Sequence, residues 1–243
     1  MVVLKLFGLD SPIGVSFSSP IISPPIANAV MTTTQAATNP DCFLCTPPTD
    51  LIYCQSEIGF ALSGLGPLVP GYSVVATRAH VASVADAIVS SSSFIKLIED
   101  IRAELSIQFG NCIVTEHGRL PVCDDVSGTT DSHCYHAHVL IFPNVAVSTE
   151  SVRSYFASWE EASNIVDATT LARNHKEYFL FSPDPTHFVV FTRPGKLIRQ
   201  FARWLVADAL GDPSLANWRQ KPSRESAVVS AKELRALFQS MSL

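Results

Sequence analysis

Cys134-Tyr-His-Ala-His-Val-Leu-Ile-Phe-Pro143 is the stretch on which the reading of this chain turns. It is a run of β-branched and aromatic residues closed by proline, which predicts a strand. A strand's period of two places Cys134, His136, His138 and Leu140 on one face. Tyr135, Ala137, Val139 and Ile141 then occupy the other, which suits a core. A buried strand gains nothing from two neighbouring imidazoles, because each needs a hydrogen-bond partner once it leaves water. Chemistry or metal binding accounts for the pair better.

Working outward, the polar segment from Arg119 to Ser132 leads into the strand through His133. Its small and hydroxylated residues, among them Ser127, Gly128, Thr129, Thr130 and Ser132, can present N–H and O–H donors to a phosphate, although as a loop composition this is ordinary. Before it, Cys112-Ile-Val-Thr-Glu-His-Gly118 reads as a strand ending in a turn. Val81 to Phe109 has helical spacing, broken near Ser90–Ser93 and stopped at Gly110-Asn111. Leu51 to Thr77 reads as two or three strands, the last of them releasing Arg78-Ala-His80. His80 therefore sits where a ligand can project, a position that also suits a turn residue at the start of the next helix. Farther upstream, Cys42-Phe-Leu-Cys45 has the spacing with which two thiolates hold one zinc ion at about 2.3 Å each. No second such pair exists, so histidines are the natural partners. Pro47 and Pro48 argue against the helix that a thioredoxin-like redox pair needs.

The 243 residues are 47% hydrophobic and 16% charged, enough to bury one substantial core or two small ones. A net charge of −5 argues against a general nucleic-acid binder but permits a small anionic ligand. No apolar run reaches the roughly 18 residues of a membrane span. Six cysteines in a chain this long do not make a disulfide scaffold, so a reduced, cytoplasmic setting is expected. Residues 1–40, rich in Pro, Ser, Thr and Ala, read as a disordered or targeting extension, with Ala27-Asn-Ala29 resembling a cleavage site. After Pro143 the spacing predicts a helix over Thr149–Ala162, capped at Thr149. A hairpin of Glu177–Phe181 with His187–Thr192 follows, then helices over Lys196–Leu210 and Ala231–Ser240.

Taken in order, Cys42-x-x-Cys45, His80, Glu116-His-Gly118 and Tyr135-His-Ala-His138 resemble the histidine-triad superfamily over roughly residues 41–143. That group holds nucleotide hydrolases and, more distantly, galactose-1-phosphate uridylyltransferases and dinucleoside polyphosphate phosphorylases. The resemblance implies an α+β fold: a HIT-like antiparallel sheet with packed helices over 41–148, and a C-terminal α+β extension over 149–243. It implies a nucleotidyl group transferred to water or phosphate through His138, with His136 as the first triad position. Glu116, His117, Ser127, Gly128, Thr129, Thr130, Ser132 and His133 become candidate substrate contacts. The zinc-bearing branches imply a structural zinc on Cys42, Cys45, His80 and His136. Expected partners are a nucleotide or nucleotide conjugate and, as is common in the family, a second copy of the chain; no nucleic acid or membrane is expected.

Placing Pro143 on the family's proline favours the register with His136, His138 and Leu140 as the three positions; a shift by two would give Cys134, His136 and His138. In the preferred register the third position, His or Gln in the family, is Leu140, which cannot donate to a phosphate oxygen. His117, His133 or Arg119 would have to supply that donor. The alternative function is a nucleotide-binding or regulatory protein that has lost the chemistry.

Overall fold

The computed structural model describes residues 42–88, 92–122 and 135–239. The extension 1–40 and the loop positions Ser127, Gly128, Thr129, Thr130, Ser132 and His133 lie outside these. Eight strands form one antiparallel sheet: β1 Ile52–Gln55, β2 Gly59–Ser63, β3 Ser73–Thr77, β4 Cys112–Glu116, β5 His138–Pro143, β6 Phe156–Ala162, β7 Phe179–Asp184 and β8 His187–Pro194. Their spatial order is β1-β2-β3-β5-β4-β7-β8-β6. The histidine strand β5 thus lies inside the sheet, with Ala76 opposite His138 on β3 and Thr115 opposite Leu140 on β4. The pairing of β4 with β7 joins the five strands before Asn144 to the three after it.

Among the described residues six α-helices accompany the sheet: α1 Val84–Ala87, α2 Ser93–Phe109, α3 Thr149–Arg153, α4 Ile165–Ala172, α5 Phe201–Ala209 and α6 Arg224–Gln239. On one face Phe94, Leu97, Ile98, Ile101 and Leu105 of α2 join Val75, Val114, Val139 and Ile141 in a single apolar cluster. The three-or-four spacing of those α2 residues is what brings them onto one side. Gly110, at φ +97°, ends the helix in a conformation that side chains resist. On the other face Phe201, Ala202, Leu205 and Val206 of α5 cluster with Leu140, Phe142, Phe179, Phe181 and Phe191. Both faces of β5 are therefore covered beyond His138, not only the face carrying Val139 and Ile141. No helix among the described residues is long and apolar enough to cross a membrane.

Several elements differ from the sequence expectation. The helix expected over Lys196–Leu210 runs only from Phe201 to Ala209, entered through Gln200 at φ +53°, and the strand expected from Cys134 begins at His138, so that His136 precedes it. The helix over Thr149–Ala162 stops at Arg153, and Phe156–Ala162 is the edge strand β6, paired with β8 from Phe156↔Pro194 to Ala162↔Phe188. Alternating contacts decide this: Phe156 is buried against Phe191 and Phe179, while Arg153 lies over the Trp159 ring. The cap is Ser148, whose hydroxyl accepts from the Ser151 N–H, rather than Thr149. The last helix also starts earlier than expected, at Arg224, because Ala227 and Ala231 are both buried and the apolar side extends a turn farther back.

Candidate functional site

Cys42, Cys45, His80 and His136 converge although they are spread over 95 residues of chain: one donor atom from each lies within 4.8 Å of the others. The turn Cys42–Cys45 is closed by the Cys45 N–H donating to Cys42 O at 3.0 Å, which sets the two thiols side by side. Sγ of Cys42 is 3.4 Å from His136 Nδ1; Sγ of Cys45 is 3.6 Å from His136 Nδ1 and 3.1 Å from His80 Nδ1. A tetrahedral ion with bonds of about 2.3 Å to sulfur and 2.05 Å to nitrogen would separate S and N by about 3.6 Å, so the donor set fits one metal ion.

The ring of His136 is oriented from behind, its Nε2–H donating to Thr77 O at 2.8 Å. This leaves Nδ1 as the atom that faces the thiols, the arrangement usual for metal-bound imidazoles. Thr77 also fixes the approach to His80, since its hydroxyl donates to Ala79 O at 2.7 Å. Its N–H donates to Ala137 O at 3.1 Å, tying it to the segment that carries both histidines. Burial, and after it the charges of His138 and His80, push the pKa of His136 down to about 4, so its ring is neutral near pH 7.

His138, partly exposed at the start of β5, stands 2.6 Å through Nδ1 from the carbonyl oxygen of His136. A carbonyl only accepts, so Nδ1 carries the proton. In the neutral ring Nε2 then has the lone pair. Burial lowers the pKa of His138, which favours that neutral form near pH 7. The strand thus presents one imidazole to the thiol cluster and the next with an available ring nitrogen.

The remaining expected positions are placed as follows. Leu140 is 6% exposed in the apolar cluster with Phe142 and Phe179. His117 stacks on Phe179 at 5.9 Å, and its Nε2 accepts from the Ala202 N–H at 3.1 Å, at the start of α5. Glu116 points to the α2 face, where its carboxylate accepts from the Val84 N–H and the Tyr178 O–H, each at 2.7 Å. Burial pushes its pKa up to about 7 against those two bonds. Arg119 commits its guanidinium to Asp86 and to the carbonyls of His175 and Lys176.

Thr77 and the residues around Tyr178 carry no marker in the sequence. Their partners lie dozens of residues away, and a threonine ending a strand is unremarkable until the sheet brings His136 beside it. No protein-family model matches the chain, and a search of curated proteins finds no match either.

Proposed function

We propose that this chain is a nucleotide-processing protein of histidine-triad type, built on a HIT-like sheet, in which His138 accepts a nucleotidyl group. Nε2 of His138 attacks the α-phosphorus of a nucleotide or nucleotide conjugate. A P–N bond forms as the P–O bond to the leaving group breaks, and the leaving oxygen departs with that electron pair and takes a proton from solvent. Water or a phosphate then attacks the same phosphorus, returning the bond pair to Nε2 and freeing the nucleotide. The observation that carries this reading is the Nδ1–H bond of His138 to His136 O, which fixes the tautomer that leaves Nε2 nucleophilic. Zinc suits the two-cysteine, two-histidine donor set, and with four protein ligands it would hold the start of β5 in place. The test is intact mass measurement after brief incubation with adenine, guanine and uridine dinucleotides, nucleotide sugars and phosphoramidates. A nucleotidyl-sized gain in the wild type, absent in His138→Ala, is expected; unchanged turnover of the same substrate by His138→Ala would overturn the reading.

A second reading is favoured by Leu140, which lies in an apolar cluster where the family places a donor. One missing oxyanion donor typically costs on the order of 10² to 10³ in rate. Under this reading the chain binds a nucleotide without turning it over. Equal thermal stabilisation of wild type and His138→Ala by a nucleotide, with no mass gain and no product in either, would select it.

A further inference from the structure

At the end of the sheet where β4 finishes and β5 begins, a cleft of about 580 Å³ is lined by Arg119, Tyr135, Arg173, Asn174 and Lys176. We propose that this cleft is an anion subsite that takes a chain of two or more phosphates. Its wall is built before any ligand arrives. Arg119 donates through Nε to Lys176 O at 2.7 Å, through one terminal nitrogen to His175 O at 2.8 Å, and through the other to Asp86 at 2.6 Å. The Tyr178 N–H donates to Gly118 O at 3.0 Å, and a side chain at Gly118 would meet the Tyr178 ring at 2.5 Å, so the two segments are packed tightly. The turn that carries Arg173 and Lys176 is thus anchored to the end of β4 rather than free on the surface.

Arg119 is neutralised by Asp86, so the charge offered to a ligand is that of Arg173 and Lys176. Both are exposed, neither has an ion-pair partner among the described residues, and Glu177 is the one carboxylate lining the cleft. In a chain of net charge −5, two cations gathered in a concave site run against the background. A guanidinium matches two phosphate oxygens at once and an ammonium supplies a point charge, while the Asn174 amide adds a neutral donor. Each exposed cation contributes little alone, so the cleft fits a ligand that meets both, a phosphate chain rather than a single phosphate. Its volume lies in the range of small-molecule sites. Tyr135 precedes His138 by three residues, at most about 11 Å of extended chain. The alternation along this stretch puts Tyr135 on the face opposite His138, so a phosphate chain seated here binds at a site separate from the nucleophile. The anion site does not rest on the nucleotidyl reading.

The probe is inorganic tripolyphosphate, titrated calorimetrically into the full chain at low salt. The wild type is expected to bind it, with affinity falling as salt rises. Arg173→Ala/Lys176→Ala is expected to bind at least about tenfold more weakly at an unchanged thermal midpoint, and Arg173→Lys/Lys176→Arg to keep most of the affinity. No binding by the wild type, or equal binding by the double alanine variant, overturns the subsite. Cleft-dependent binding without transfer from any nucleotide keeps the anion site and removes the nucleotidyl reading. Transfer together with variant-independent binding does the reverse.

Discussion

At the scale of single residues, the buried carboxylate of Glu116 is the group whose chemistry most clearly depends on the fold. It is 4% exposed, and burial raises its pKa from an ordinary 4.5 to about 7. Because the folded pKa exceeds the unfolded one, the folded state binds this proton more tightly, and stability from this group is full below about pH 4.5. It is lost as pH rises through about 7, above which the cost is about 3 kcal/mol, at about 1.4 kcal/mol per pKa unit. Glu116→Gln keeps one acceptor and removes the charge, so its urea midpoint should vary less between pH 4.5 and 7.5 than that of the wild type. Parallel profiles would place the pH dependence elsewhere. His138 and Leu140 make the complementary point about side chains two residues apart. One keeps a ring nitrogen available at the rim; the other lies under α5, where a polar group would need a partner that the cluster of phenylalanines does not offer.

Among the elements, the four side chains that could hold a metal ion tie the Cys42–Cys45 turn to the exit of β3 and the start of β5, which are already paired in the sheet. Binding energy at a structural site of this kind is folding energy, about 10 kcal/mol or more in small zinc domains. Purified protein should carry one zinc per chain by plasma emission, and Cys42→Ser or His80→Ala should lower that content. Removing the metal by chelation should lower the thermal midpoint by at least about 6 °C, since 1 kcal/mol shifts a domain of this size by about 2–4 °C. A midpoint indifferent to chelator would mean that the four side chains hold no structural ion. The same reasoning bears on α5. Phe201, fully buried, meets Tyr155, Phe156, Phe179 and Trp204, so this helix closes the sheet face on which β5 carries its histidines.

For the whole molecule, the decisive contact is β4 with β7, where Val114, Thr115 and Glu116 pair with Ser182, Phe181 and Leu180. The described residues fall in one compact unit, and the sheet crosses the boundary that the sequence places at 148. A chain ending at 148 would expose the edge of β4 and the apolar faces that Phe179, Phe181 and Phe201 cover. Residues 36–148 alone are therefore expected to aggregate or to lack a cooperative transition in circular dichroism, whereas 36–243 should unfold in one step. A soluble, cooperatively folding fragment would show that the later strands are an accessory.

The sequence by itself determined the local features: the α+β class, the strand character of His138–Pro143, the break between α1 and α2, and the hairpin of β7 with β8. These follow from period, turn residues and donor chemistry, which act over a few positions. The four side chains that could hold a metal ion were legible because cysteines and histidines are few and their resemblance to a known order supplied the pairing that spacing alone left open. Only the tertiary structure decided that Phe156–Ala162 is a strand, because its pairing with β8 outweighs a weak local preference for helix. Only there, too, does Glu116 turn to α1 and Tyr178, His117 to α5, and Arg119 to a turn 56 residues away. Those assignments depend on which distant backbone groups the sheet brings into hydrogen-bond range, and no local pattern carries that information.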